Sequence, residues 1–165
     1  MKKQLFIIFF LLFLFPLKDK LFSDTPDETA DNRLQNMISD IHWLGHDSFR
    51  IEGKGLFIYI DPYKIETDIK ADIILITHEH GDHCSADDIA RIRKDDTIIV
   101  TVKSAAEKLK GDIRIIKPGD KIEIKDIPIE AVHAYNTNKF RSPGVPFHPK
   151  ESGHAGYILT VEGIR

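Results

Sequence analysis

Ile73-Ile74-Leu75-Ile76-Thr77-His78-Glu79-His80-Gly81-Asp82-His83 decides the reading of this chain. Its first four residues are an unbroken apolar, largely β-branched run, the pattern of a strand buried on both faces. The run ends at Thr77, and the six residues from His78 to His83 carry three imidazoles and two carboxylates. Such groups are costly to gather in a fold without a partner. Neutral imidazoles and carboxylates are also the ligands a zinc-type cation takes. His78 and His80 are two apart in a segment leaving a strand, so they face the same way. Gly81 is expected to permit the sharp turn that brings Asp82 and His83 round. The string lies after a buried strand and before a helix, where open α/β sheets place their sites.

Plainer readings stand beside this one: a surface histidine cluster with no shared role, or a single structural metal. A structural zinc site is usually closed and rich in cysteine, whereas the chain has one cysteine, Cys84. Cys84 reads as a small buried residue at the start of the next helix. The helical zinc-protease pattern His-Glu-x-x-His does not fit, because the fourth residue after His78 is Asp82.

Upstream, Ile41 to Leu44, Ser48 to Glu52 and Leu56 to Ile60 read as short strands. Gly45-His46 and Gly53-Lys54-Gly55 turn between them, and Asp61-Pro62 ends the third. Downstream, Ser85 is a candidate N-cap, with Asp88 as a weak capping partner, for a helix to about Lys94. Thr97 to Val102 is a second buried strand, and Ser104 to Lys110 a helix stopped by Gly111. Ile113 to Ile116, Lys121 to Lys125, Ile127 to Val132 and Ala155 to Val161 read as further strands, while Asn136 to Lys150 reads as a loop rich in Pro, Gly and Asn. Strand hairpins followed by alternating strands and helices give an α/β sandwich layer.

The chain has 165 residues, enough for one ordinary domain. A net charge of −3 and the lack of a basic cluster argue against nucleic acid as a partner. The run Arg91-Ile92-Arg93-Lys94 sits beside Asp95 and Asp96 and reads as a solvated helix end. At the N-terminus, Lys2 and Lys3 precede an apolar run from Leu5 to Phe15, closed by Pro16. That run falls short of the ~20 residues of a membrane span and suits a secretory signal. Residues 1–23 are therefore expected to be a signal peptide, or an uncleaved anchor around residues 5–17. Residues 24–40 form a linker with a short helix near Arg33 to Ile38, and residues 41–165 the domain. Export to the periplasm or cell envelope follows, with membrane contact only through the N-terminal segment. A lone cysteine closes no intramolecular disulfide.

His-x-His-x-Asp-His after an Ile/Leu strand resembles the signature of the metallo-β-lactamase-fold hydrolases. Trp43-Leu44-Gly45-His46-Asp47-Ser48-Phe49 and Ile60-Asp61-Pro62 resemble the branch with ascorbate-6-phosphate lactonase-like and phospholipase D-like enzymes. Ala134-Tyr135-Asn136-Thr137-Asn138-Lys139-Phe140, Pro146-Phe147-His148-Pro149-Lys150 and Gly156-Tyr157 resemble an uncharacterised bacterial subgroup of that branch. The resemblance runs from about Ile41 to the C-terminus.

It implies an αββα sandwich, here its N-terminal half plus a few strands of the second. It also implies two divalent metal ions, with zinc first and manganese or iron as alternatives. His78 and His80 would bind the first, and Asp82 and His83 the second. A further histidine for the first metal is His148, in the Pro-rich loop, or His133, at the end of a strand. Asp61 would orient a ligand imidazole or simply turn the chain; His46 would line the pocket or hydrogen-bond its own turn. The implied reaction is attack of a metal-bound hydroxide on an ester, lactone, amide or phosphodiester of a small molecule, with Asp82 also steering the proton. The family's Gly-Asp-Thr motif, whose Asp bridges both metals, and a later histidine have no counterpart before Arg165. The alternative expectation is accordingly a truncated, non-catalytic metal-binding remnant. With layers missing, the apolar face of Ile73 to Ile76 and Ile98 to Val102 is expected to be partly uncovered, favouring self-association.

Overall fold

A computed structural model describes residues 28–165, so the expected signal segment lies outside the described residues. No helix among the described residues is long and apolar enough to cross a membrane. Helix α1 (Glu28–Ser39) replaces most of the expected linker. It is longer than the short helix anticipated, and its twelve residues contain neither Gly nor Pro to interrupt it. Ser39 Oγ donates to Asn36 O at its end, and Asp40 N does the same.

Strands β1 (Ile41–Gly45), β2 (Ser48–Gly53) and β3 (Leu56–Ile60) form an antiparallel meander. Lys54 and Gly55 both have positive φ, the two-residue turn whose twist matches a hairpin. Strands β4 (Ala71–Ile76), β5 (Arg93–Thr101) and β6 (Asp112–Ile115) then add in parallel, completing a six-stranded sheet in chain order. Helix α2 (Ala86–Ile92) connects β4 to β5, and α3 (Lys103–Ala106) connects β5 to β6. Antiparallel strands β7 (Lys121–Ile124) and β8 (Ile127–His133) pair with a later strand, β11 (Ala155–Leu159), in a second sheet. Between β8 and β11, the expected loop folds its middle into a hairpin of β9 (Phe140–Ser142) and β10 (Val145–Pro146).

Three boundaries depart from the sequence reading. The helix expected to reach Lys94 stops at Ile92, and β5 starts at Arg93, where Arg93 pairs with Ala71. The cause is Asp72, buried at 6% exposure, which accepts from Phe57 N at 2.8 Å and draws Lys94 Nζ to 2.6 Å. Burial alone would raise the Asp72 pKa; Lys94, the Phe57 N–H and Lys125 outweigh it and hold the carboxyl below the usual range. The helix expected to reach Lys110 is shorter: after Ala106 it tightens into i→i+3 turns, Lys108 N to Ala105 O and Leu109 N to Ala106 O. Ser85 does cap α2, its Oγ accepting from Asp88 N. Asp88 is itself buried and accepts from Lys64 N and Ile65 N, which pins the β3–β4 crossover to the helix.

The apolar face expected to be partly uncovered is mostly covered, with Ile98 alone among its apolar residues left partly exposed. Ile73 to Ile76 are fully buried, as are Ile99, Val100 and Val102 to within 3% exposure. The second sheet supplies Ile124, Ile127, Ile129 and Ala131 to the same core, and the helices supply Ile89, Ile92 and Ala105. The chain just past β11 packs so closely on the end of β2 that a Cβ on Gly53 would collide with Val161 Cγ1. Tyr157, whose Oη donates to Ile76 O at 2.8 Å, ties β11 to the end of β4.

Candidate metal centre

The site begins where β4 ends. Thr77, His78 and the turn from His80 to Cys84 leave the C-terminal end of the buried strand. His83 N and Cys84 N both donate to His80 O, at 3.0 and 2.7 Å, which closes the turn. Gly81 is not the cause: its φ is not positive and a side chain there would meet open space. Cys84 is buried, and burial pushes its thiol pKa up, as befits a packing residue.

Asp61, at the end of β3 with φ +43°, organises two of the histidines. It is 2% exposed and accepts from Thr77 N at 2.8 Å, Thr77 Oγ1 at 2.6 Å and His83 Nδ1 at 2.8 Å. The Thr77 hydroxyl donates its hydrogen bond to Asp61, so its oxygen accepts from His78 Nδ1, 2.9 Å away. Both imidazoles are thereby protonated on Nδ1 and present an Nε2 lone pair. That tautomer assignment follows from the network. Asn136 does the same for His148: its Oδ1 lies 3.0 Å from His148 Nδ1 and also accepts the His148 backbone N–H.

The consequence is a convergence of lone pairs. His78 Nε2 lies 3.2 Å from His80 Nδ1, and His148 Nε2 lies 3.4 Å from the same atom. Ligand atoms of His78, His80 and His148 all fall within 4.8 Å of one another, the one such group of three among the described residues. With His78 and His148 both protonated on Nδ1, three ring nitrogens facing one point repel unless a cation or proton sits between them. Protonation is disfavoured there. Burial and the neighbouring imidazoles push the His78 pKa down to about 3, and burial and the other histidines lower that of His148. Three imidazoles, two of them held by hydrogen bonds to their far nitrogens, are a donor set a zinc-type ion fits.

The other expected residues fall around this trio. Asp82 is half exposed; burial would raise its pKa, but its own backbone N–H together with His83, His46 and His80 outweighs that and keeps the carboxyl below the usual range. His83 Nε2 points at Asp47 Oδ2, 3.6 Å away, and the Asp61 hydrogen bond raises the His83 pKa against burial. His46 sits in the β1–β2 turn, not on the cavity wall: its Nδ1 lies 2.8 Å from both Asp47 N and Asp47 Oδ2, and its Nε2 lies 3.4 Å from Asp82 Oδ2. His133, at the end of β8, lines the cavity with its ring 6.2 Å from Tyr135, but adds no nitrogen to the trio. The cavity of about 730 Å³ runs over His78, His83 and His148 between Phe49, Tyr135 and Tyr157.

Three neighbours escaped the sequence reading. His154, in sequence a weaker ligand candidate than His133 or His148, is buried and stacked on His78. Glu79, between the two string histidines, turns away to accept from Ser104 Oγ at 2.7 Å. Asp47 faces both His46 and His83. Glu79 and Asp47 lie inside the quoted motifs, which was the available signal; for His154 the sole hint was its place just before an apolar strand.

Comparison with known proteins agrees with this geometry. A family model described as a beta-lactamase superfamily domain matches residues 40–165. The chain belongs to the metallo-β-lactamase superfamily, and its sheets and loops form part of that fold. It is 31% identical over 144 residues to a UPF0173 metal-dependent hydrolase of Lawsonia intracellularis, a match covering 76% of this chain and 57% of that protein. Identity to a Thermoplasma acidophilum protein of the same description is 32% over 149 residues, covering 75% and 64%. A crystal structure described as a metal-dependent hydrolase of Parabacteroides distasonis superposes with TM-score 0.64 at 39% identity, over 74% of this chain and 56% of that one. The chain thus spans about half the length of the curated relatives it matches.

Proposed function

We propose that this chain carries the metal site of a hydrolase acting on a carbonyl or phosphoryl ester of a small molecule. The observation that carries the reading is the set of three ring nitrogens, from His78, His80 and His148, within 4.8 Å of one another. These residues would hold the first ion. Asp82 and His83 would hold a second, His83 through the Nε2 that Asp61 leaves free. The chemistry such ions supply is Lewis acidity and activation of water near neutral pH. Zinc suits the imidazole-rich first site, with manganese or iron as the other candidates.

The remaining work falls to the chain's own groups. Asp61 and Thr77 fix the tautomers of His78 and His83, so each turns its Nε2 rather than its Nδ1 toward an ion. Asp82, kept ionised and open to solvent, is placed to take a proton from water and hand it to a leaving group. Phe49, Tyr135 and Tyr157 give the cavity apolar walls that exclude bulk water from one side of a substrate. The test is turnover of a phosphodiester and a lactone by zinc- or manganese-loaded protein, wild type against Asp82→Asn. The proposal expects metal-dependent turnover that falls at least a hundredfold in the variant. Tight metal binding with no turnover on either substrate would leave a binding protein and overturn the hydrolytic part.

A further inference from the structure

His154 lies outside every motif quoted above, in the short segment between the 3₁₀ turn Lys150–Ser152 and β11. Gly153, with φ +67°, turns the chain so that His154 enters the protein at 5% exposure. Its ring stacks on that of His78, with centroids 4.7 Å apart and planes at 26°. On the other side its Nε2 lies 3.4 Å from Glu79 Oε2, the same oxygen that accepts from Ser104. Its backbone is stitched to both sheets: His154 O accepts from Ala134 N, and the next residue, Ala155, donates to Thr77 O.

Glu79 separates the two string histidines, so a change in its side-chain position rotates the backbone that aims both of them. It is anchored from three directions: Ser104 Oγ on its carboxylate, Lys108 Nζ on its backbone carbonyl at 2.7 Å, and His154. Ser104 and Lys108 belong to or follow α3, behind the sheet. His154 alone touches both Glu79 and the face of His78. An apolar residue of the same size would fill the volume and leave the carboxylate short of one neighbour.

We propose that His154 is a positioning residue for the metal site: wedged between the His78 ring and the Glu79 carboxylate, it holds the His78–Glu79–His80 segment in ligand geometry. The inference rests on the metal reading of the His78, His80 and His148 trio. His154 supplies no ligand itself; it acts through His78 and Glu79. Misplacing supporting groups around metal ligands typically weakens metal binding about 10- to 100-fold.

The experiment compares wild type, His154→Phe, His154→Gln and Glu79→Gln. His154→Phe keeps a flat ring against His78 but has no nitrogen, whereas His154→Gln places an N–H donor near the position of Nε2. Zinc affinity is measured by chelator competition, cobalt(II) geometry by visible spectrum, and the apo fold by thermal melting. His154→Phe should lose at least tenfold in zinc affinity with a changed cobalt spectrum, and His154→Gln should stay within about threefold of wild type. Glu79→Gln should lose affinity like His154→Phe, and the double variant should lose little more, since both act on one contact. The proposal is overturned if His154→Phe binds zinc as wild type does, or if affinity across the series follows apo melting temperature rather than the donor. Wild-type protein that binds no metal would sink the trio reading and this inference together. Intact wild-type binding with an indifferent His154→Phe sinks this inference alone.

Discussion

Replacing Asp61 by Asn should destabilise the metal-free protein and spoil the His83 ligand, although it changes neither size nor backbone. The left-handed φ of +43° suits Asn as well as Asp. Oδ1 still accepts from Thr77 N. The other oxygen, which accepts from Thr77 Oγ1 at 2.6 Å and His83 Nδ1 at 2.8 Å, becomes an NH₂ group facing two donors. His83 must then shift its proton to Nε2 to accept at Nδ1, and Thr77 loses the partner for its hydroxyl. Two buried hydrogen bonds to a charged acceptor are lost, each worth about 1.5–3 kcal/mol, and partial re-pairing leaves a net cost of roughly 2–4 kcal/mol. For a domain of this size that is a fall in melting temperature of about 8–16 °C at roughly 4 °C per kcal/mol.

The deficit also depends on pH. Asp61 raises the His83 pKa in the folded state. That stabilisation is fully present below the unfolded His value of about 6.5 and fades as pH rises through the raised folded value. The gap between wild type and variant should therefore be widest near pH 5.5 and narrower at pH 8.5. Thermal melts in chelator at both pH values measure it, with nitrogen NMR shifts reporting the His83 tautomer. A variant melting within 2 °C of wild type at pH 5.5, or a gap that widens with pH, would refute the argument.

Other perturbations test neighbouring parts of the structure. His148→Ala should cost at least a hundredfold in zinc affinity by chelator competition, whereas His133→Ala should stay within about threefold, because only His148 reaches the trio. Asp72→Asn should lower stability in urea by about 1.5–3 kcal/mol at pH 7. That deficit should shrink as pH falls through the depressed Asp72 value, since stability from a lowered carboxyl pKa is lost in acid. Gly53→Ala should cost about 1–3 kcal/mol in the same measurement, because its methyl meets the Val161 side chain packed over β2.

What could be read in the sequence divides along locality. Strand β4 and the His78 string were legible because an apolar run and a dense ligand motif need no distant partner to be recognised. The meander turns at Gly45-His46 and Lys54-Gly55 were legible from turn chemistry. The charged start of β5 was not, because Arg93 and Lys94 are held extended by Asp72 on another strand, against a pattern that continues α2. The hairpin inside residues 136–150 hid behind Pro and Gly. The choice between His133 and His148 was open in sequence because it is tertiary: His133 has the expected place at a strand end, and only the folded loop shows His148 Nε2 beside His80. The place of His154 is tertiary too, its partners Glu79 and His78 being far away in the chain. The cover over the β4–β5 face is tertiary as well: β7, β8 and β11 supply Ile124, Ile127, Ile129, Ala131 and Ala155, and the helices supply Ile89, Ile92 and Ala105.

The central claim is that the nitrogens of His78, His80 and His148 form a preorganised metal site. Zinc titrated into metal-free protein at pH 7, followed by calorimetry, tests it most directly when wild type is compared with the His78→Ala/His80→Ala double variant. Wild type should bind at least one zinc per chain with sub-micromolar affinity, and the double variant should lose that event while apo far-ultraviolet circular dichroism stays unchanged. Equal zinc binding by the folded double variant, or none by wild type, would contradict the account.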